Sequence, residues 1–218
     1  MIFNKELFNL AIRKEEIKKC KKCTALCASR TQVVIDKYTK TTAAPWQDKA
    51  LPIMIIGEAP GETEDQVGMP FMGVSGKVLD KYLNLHELQH YSYVTNIVKC
   101  RPDKNRTPTE DEIKNCSHYL VRQIEELNPS VIITLGKSAI SGLQLTGTFS
   151  SKYIEYNNAS RTYTFGLGSK VYPVVPIYHP SYYLRQKNFL DEGEWQVFES
   201  NYNEKFLKAK SYIDTANI

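Results

Sequence analysis

The chain has 218 residues, 42% hydrophobic and 24% charged, which excludes disordered and fibrous classes and suffices for a real core, since about 70% of the unfolded surface is buried at this size. Its net charge of +4 is unevenly placed: residues 1–40 carry ten Lys or Arg against four acidic residues, and the remainder is slightly acidic. That asymmetry fits a phosphate-contacting face as well as a solvated helix. No apolar run approaches the roughly 20 residues of a membrane span, and the opening MIFNKELFNL is not a signal peptide, so a soluble intracellular protein is expected.

Along the chain, Phe3, Leu7, Leu10 and Ile17 share one side of a 3.6-residue period over residues 3–19, predicting an amphipathic helix from which only Ile12 strays. Residues 36–52 are polar, aperiodic and hold two prolines, and they read as a long loop. LPIMIIG is a short buried strand ending at Gly57, followed by a Gly/Pro-bearing loop and a helix over Ser75 to Leu85. YSYVTNIV reads as a strand. Thr109 to Leu127 reads as a helix, because Thr109 and Glu112 have capping-box spacing and Pro108 precedes them.

SVIITLG is another buried strand and KSAISGLQL a helix. Residues 152–173 read as a hairpin or an irregular pair of strands around Gly166 and Gly168, VVPIY as a last strand running into HPS, and Glu194 to Ile213 as a final helix. Strands alternating with helices predict an α/β fold with a mostly parallel sheet covered on both faces. Ligands of such sheets bind at the carboxyl ends of strands, here after Ile56, around Asn96 and after Tyr178. No linker divides the chain, so residues 1–218 are expected to form one domain.

Four groups of residues can carry chemistry. Cys20 and Cys23 form C-x2-C, with Cys100 following a strand and Cys116 inside a predicted helix; four thiolates suit zinc or an iron–sulfur cluster, and spacing does not choose. An odd total of five cysteines argues against a disulfide framework, and Cys27 is left as a small core residue. In GEAPGETEDQVGMPFMGVSG, Gly57, Pro60 and Gly61 make a turn that brings backbone N–H groups close to a ligand. Glu58, Glu62, Glu64 and Asp65 would repel phosphate there but suit acid–base or hydrogen-bonding work. Phe71 is either an aromatic that stacks on a planar base or a core residue.

In NIVKCRPDKNRTP, Asn96 stands at a strand end where its amide can read a base edge. Lys99, Arg101, Lys104 and Arg106 follow as a phosphate clamp or a solvated loop. In YHPSYYLR, His179 is poised at the sheet edge, where a lone histidine is more often structural than catalytic. Tyr182, Tyr183 and Leu184 can wedge into a duplex beside Arg185.

Taken in order, Cys20-x2-Cys23, GEAPGETED, G-x-P-F-x-G-x-S-G, N-I-V-K-C-R-P with Cys116, L-G-K-S-A and H-P-S-Y-x-L-R resemble the motifs of family 4 uracil-DNA glycosylases, over 166 of the 218 residues. The resemblance implies a three-layer α/β/α domain around a central, mostly parallel four-stranded sheet. It also implies a [4Fe-4S] cluster on Cys20, Cys23, Cys100 and Cys116, and excision of uracil from single- or double-stranded DNA in base excision repair. By position, Phe71 would stack on the flipped base, Asn96 would bond its pairing edge and His179 would stabilise charge on uracil O2. Glu58 would join them in catalysis and shape the pocket with Glu64, a candidate for excluding the thymine methyl; Gly57, Ala59, Gly61 and Ser181 would complete it. Arg101, Arg106 and Arg185 would meet DNA, with the His-Pro-Ser segment a minor-groove loop and Leu184 its wedge.

Other uracil glycosylase families carry Asp where this chain has Ala59, so no evident carboxylate activates the water, and a reaction driven by leaving-group stabilisation is expected. Lys99 and Lys137 are not Schiff-base positions in the family, so no lyase activity is expected. The 36–52 loop looks longer than is usual there, and Cys27 is an extra thiol close to the cluster. Two readings compete with excision of uracil: a cluster-bearing module that recognises a base without cleaving it, and a glycosylase for another deaminated or modified base. A monomer is expected.

Overall fold

The computed structural model describes residues 14–38, 53–151 and 153–216, the last three of these by backbone alone. Residues 14–18 are helical (α1); the remainder of the predicted N-terminal helix, and 39–52 of the predicted loop, lie outside the described residues. The Cys20–Cys23 pair leads into α2 (Thr24–Ser29). The strands are β1 (Asp36–Tyr38), β2 (Ile53–Gly57), β3 (Ser92–Asn96), β4 (Val131–Leu135), β5 (Thr148–Phe149), β6 (Tyr163–Leu167) and β7 (Lys170–Ile177). The other helices are α3 (Glu62–Val67), α4 (Val74–Leu85), α5 (Glu110–Leu127), α6 (Lys137–Gln144), α7 (Pro180–Phe189) and α8 (Glu192–Ala216).

The seven strands lie in the order β1-β3-β2-β4-β7-β6-β5. The central four, β3-β2-β4-β7, are mutually parallel, and β2, β3 and β4 are buried at every position. Burial on both faces is why β2 and β4 read in sequence as apolar runs rather than alternations. Three antiparallel strands extend the expected four: β1 on β3 at one edge, β6 and β5 beyond β7 at the other. Residues 36–38, expected in a loop, are a strand because pairing with Thr95, Val94 and Tyr93 supplies the ladder that Asp-Lys-Tyr does not advertise. The predicted hairpin is β6–β7, turning at Gly168 with φ +59°, a left-handed geometry that glycine adopts without a Cβ clash.

Alternate residues of each strand face opposite layers. Met54, Ile56 and Ile132 join Ile17, Leu26, Ile113, Leu120, Ile124 and Leu143 in one apolar cluster. Ile53, Ile55, Val131 and Ile133 join Leu79, Tyr82, Tyr183, Tyr202 and Phe206 in the other. α1, α2, α5 and α6 therefore cover one face, and α4, α7 and α8 the other, giving the three-layer sandwich. Among the described residues no helix is long and apolar enough to cross a membrane.

Parallel strands bring their carboxyl ends to one rim. Gly57 pairs with Asn96 and Leu135 with Ile177. The ladder runs past the strands through Ile97 N–H to Gly57 O (2.9 Å), Val98 N–H to Glu58 O (3.1 Å) and Gly136 N–H to Ile177 O (2.8 Å). Three of the resemblance's motifs begin on this rim.

Candidate active site

A cleft of about 460 Å³ opens at the rim, its walls including Glu58, Gly61, Glu64, Phe71, Asn96 and His179. The approach of two of these walls depends on the absence of a side chain. A Cβ on Gly57 would stand 2.4 Å from Asn96 Oδ1 and 2.6 Å from Phe71 Cζ, distances no real Cβ tolerates, so glycine here lets the amide and the ring approach each other. Asn96 is buried, and its Oδ1 has no hydrogen-bond partner among the described residues. Leaving a buried acceptor unmatched costs roughly 1–3 kcal/mol, which a ligand donor at that point recovers.

Phe71 is only 6% exposed and belongs to the apolar cluster under α4 and α7, and it also lines the cleft. Its φ of +56° is left-handed, a costly geometry for an aromatic residue. Two devices hold it. A Cβ on Gly76 would sit 1.8 Å from the Phe71 carbonyl oxygen, so only glycine lets the first turn of α4 pack there. Glu64, at the third position of α3, accepts hydrogen bonds from the backbone N–H of Gly61 (3.0 Å), Met72 (2.8 Å) and Gly73 (2.7 Å). The four carboxylates of this segment thus diverge: Glu64 clamps the Phe71 loop, Glu58 lines the cleft, Glu62 is exposed near Arg101, and Asp65 accepts from Thr31 N–H (2.7 Å) and Gln32 N–H (3.3 Å) beside the cysteine segment.

Glu64→Ala should leave those three N–H groups unmatched, lowering stability by about 1–3 kcal/mol and loosening Phe71. A denaturant melt and the intrinsic affinity for a free pyrimidine should both fall, whereas Glu64→Gln, which keeps an acceptor oxygen, should fall less.

His179 ends the β7 segment and caps α7, with Pro180 at the helix's first position, where its missing N–H costs nothing. Ser181 N–H donates to His179 Nδ1 at 3.1 Å, and Ser181 Oγ lies 2.8 Å from the same nitrogen. Nδ1 is therefore an acceptor, and the neutral ring carries its proton on Nε2. Burial, with Arg185 adding to it and Glu64 opposing, pulls the imidazole down to about 4, so at neutral pH the ring is an uncharged donor. Its centroid lies 6.0 Å from that of Phe71.

The basic groups divide. Arg106 lines the cleft but is held by Glu112 in a two-pronged pair at 2.7 and 2.9 Å, which keeps the Glu112 carboxyl below its ordinary range. Arg101 donates to Asn105 Oδ1 at 2.8 Å, with Glu62 at 3.7 Å. Arg185 is exposed at the cleft mouth. Residues 180–189 form helix α7, where a groove-entering loop was expected: His179 caps that helix and buries Tyr183 in the core, which removes Tyr183 as a wedge. Leu184 is half-buried against the same apolar cluster, and the fully open apolar side chain of α7 is Phe189, 82% exposed.

All five cysteines are free thiols, with Cys100 and Cys116 buried. Cys20, Cys23, Cys100 and Cys116, drawn from the turn before α2, the turn after β3 and α5, lie close enough to perturb one another's ionisation. Among the described residues, no three His, Cys, Asp or Glu side chains converge as a single-ion site would require. Four cysteine sulfurs are a donor set that fits a [4Fe-4S] cluster, each thiol bonding one iron, and they would also suit zinc. Cations already face the sulfurs: Arg30 Nη1 donates to Cys100 Sγ at 2.7 Å while its Nη2 holds Cys20 O at 2.6 Å. Without a metal, burial pushes the Cys100 thiol up to about 12. Cys27 approaches Cys20 O at 3.9 Å and stands near Cys23.

Sequence reading left Ser75, Asn105, Lys137 and Ser138 without roles, yet all four line the cleft. For Lys137 and Ser138 the signal was the L-G-K-S-A motif itself, which starts α6 at the end of β4.

Fold and site together define a three-layer α/β protein with a pocket of mixed aromatic and polar character at the ends of its parallel strands. Residues 45–206 match the Uracil DNA glycosylase superfamily. The chain is 38% identical over 179 residues to the type-4 uracil-DNA glycosylase of Saccharolobus solfataricus, covering 79% of this chain and 76% of the relative. It is 37% identical over 210 residues to the enzyme of that name from Thermotoga maritima, covering 94% of each. With the Archaeoglobus fulgidus protein of the same name the identity is 36% over 186 residues, 82% of this chain and 85% of the other. The chain belongs to the uracil DNA glycosylase superfamily, in its type-4 family.

Proposed function

We propose that this protein removes uracil from DNA by hydrolysing the N-glycosidic bond, leaving an abasic site for base excision repair. The observation that carries the reading is the neutral His179, its Nε2 the donating nitrogen, in the same cleft as Phe71 and an unmatched Asn96 amide oxygen. A base inside a duplex is out of reach, so the nucleotide must swing out at a cost of a few kcal/mol. Phe71 stacking on the flipped ring offsets part of that cost. Asn96 Oδ1 accepts from uracil N3–H and its Nδ2 donates to O4, a pairing that cytosine, with its donor and acceptor exchanged, does not match. Glu64, fixed beside the Phe71 loop, crowds the position of a thymine methyl.

Bond cleavage leaves negative charge on uracil O2 and oxocarbenium character on the sugar. His179 Nε2–H donates to O2 as that charge develops, the form of stabilisation that a preorganised donor supplies best. Ala59 places no carboxylate at the start of the loop, so water is captured late on an already cationic sugar. Glu58 lines the same cleft and completes its polar wall. Arg185 at the mouth, and Arg101 and Arg106 after exchanging their carboxylate partners for phosphate, hold the strand, with Leu184 lifting off the core as a wedge. No lysine step is needed, and the abasic product stays uncut.

Cys20, Cys23, Cys100 and Cys116 would hold a [4Fe-4S] cluster. When bound, it supplies four iron–thiolate bonds that cross-link the segments before α2, after β3 and within α5.

Single-stranded and duplex oligonucleotides carrying one uracil, with thymine, hypoxanthine and cytosine controls, test the reading on anaerobically purified protein. Alkali-labile breaks only at uracil are expected. Binding without cleavage would replace it with a recognition module, and breaks at hypoxanthine alone would change the base.

A further inference from the structure

Lys99 is 1% exposed, one of two buried lysines among the described residues. Nothing in the proposed chemistry uses it. Its ammonium folds back over the end of β3, donating to Asn96 O at 2.5 Å and to Thr95 Oγ1 at 2.7 Å. Thr95 Oγ1 in turn donates to Ile35 O at 2.6 Å, so the lysine is seated on a satisfied pair of acceptors. On its other side its backbone N–H faces the Cys116 sulfur closely enough to favour the thiolate, and its carbonyl accepts from Val34 N–H at 2.8 Å. The anionic groups it meets are Cys116, Cys100 and Asp36. Asp36 is already matched, by Lys14 Nζ at 2.6 Å and Tyr93 OH at 2.8 Å.

A buried ammonium needs opposite charge close by, and with Asp36 taken the cysteine sulfurs, ionised once they bond iron, are the remaining source. One residue thus touches both the metal-ligand set and the backbone of the amide that reads the base. We infer that Lys99 is a positioning residue coupling the cysteine cluster to Asn96: it precedes Cys100 in the chain with its N–H facing the Cys116 sulfur, its ammonium pins the Asn96 carbonyl, and the cluster's negative charge holds the ammonium in place. The inference rests on the uracil reading for the role of Asn96 and on the cluster assignment for the thiols.

The test uses Lys99→Met in the intact, cluster-loaded protein, since methionine keeps the length and removes charge and donors. Free-uracil affinity should weaken about tenfold, in the range that coupling residues show, and single-turnover excision should slow with it while duplex affinity holds. The cluster's reduction potential should fall, because a nearby positive charge favours the more reduced, more negative state. Lys99→Arg should keep the wild-type potential.

A Lys99→Met protein that only melts earlier, with uracil affinity and potential unchanged, overturns the inference, as does wild-type protein that carries no cluster. If Lys99→Met fails to fold, Thr95→Val removes one seat of the ammonium and leaves its charge. It should weaken uracil binding about threefold at unchanged potential, and unchanged affinity overturns the inference. Wild-type protein that neither binds nor excises uracil would refute the uracil reading. The potential of Lys99→Met, which needs no substrate, then decides the cluster half by itself.

Discussion

Replacing His179 by alanine is expected to slow single-turnover excision of uracil by about 10²–10³-fold, the loss seen when one preorganised donor to a developing anion is removed, while duplex affinity stays close to wild type. The reason lies in the tautomer. Ser181 N–H occupies Nδ1, so Nε2–H is the ring's remaining donor, and no second group replaces it. Ser181→Ala should have a much smaller effect, because the backbone N–H that sets the tautomer survives the change. A rate for His179→Ala within threefold of wild type would remove His179 from the mechanism.

The same histidine sets an acid limb. With the folded ring pulled down to about 4 and an ordinary value near 6.5 when unfolded, the unfolded chain binds the extra proton first as pH falls. Stability is therefore undiminished above about 6.5 and is lost progressively down to about 4, by about 3 kcal/mol for this group alone. His179→Asn, which cannot titrate, should flatten that portion of the curve when thermal melts are compared from pH 7.5 to 4. Parallel curves would mean the imidazole is not held neutral by its surroundings.

Cys100→Ala is expected to cost the iron and most of the soluble protein together. Cys100 is buried, and its sulfur receives Arg30, whose other nitrogen holds the Cys20 carbonyl. Removing the sulfur takes away one iron ligand and leaves a half-buried guanidinium nitrogen without its acceptor, a loss of about 1–3 kcal/mol from the 5–15 kcal/mol that holds a domain. Iron and sulfide analysis, the brown absorbance and a circular-dichroism melt measure the three consequences. Cys27→Ala, changed in parallel, should retain full iron content. Normal iron in Cys100→Ala would transfer the fourth ligand position to Cys27.

Much of this protein was legible before any coordinates. Strands β2 and β4 were readable because burial on both faces makes IMIIG and VIITL locally unmistakable, and Thr109 and Glu112 marked the start of α5 by a box that the structure closes, with N–H to Oγ1 at 3.2 Å and N–H to carboxylate at 2.8 Å. The edge strand β1 was not readable, since Asp-Lys-Tyr carries no strand signal and its order comes from pairing with β3. The helical form of HPSYYLRQKNF was missed for a related reason: its amphipathic pattern is weak, and its capping comes from a histidine ring rather than a Ser, Thr or Asp.

At the site the division is sharper. Sequence named Phe71, Asn96, His179 and the four cysteines, because residue type at a strand end or in a spaced pair is local information. What those groups do to one another is not local. That Gly57 must be bare because Asn96 and Phe71 meet above it, that Glu64 spends its carboxylate on the backbone holding Phe71, that Ser181 selects the histidine tautomer, and that Lys99 turns inward onto the Asn96 carbonyl are all consequences of distance and burial. Residue identity alone determined which chemistry was at hand; proximity between segments far apart in the chain, which only folding creates, decided charge, proton position and orientation.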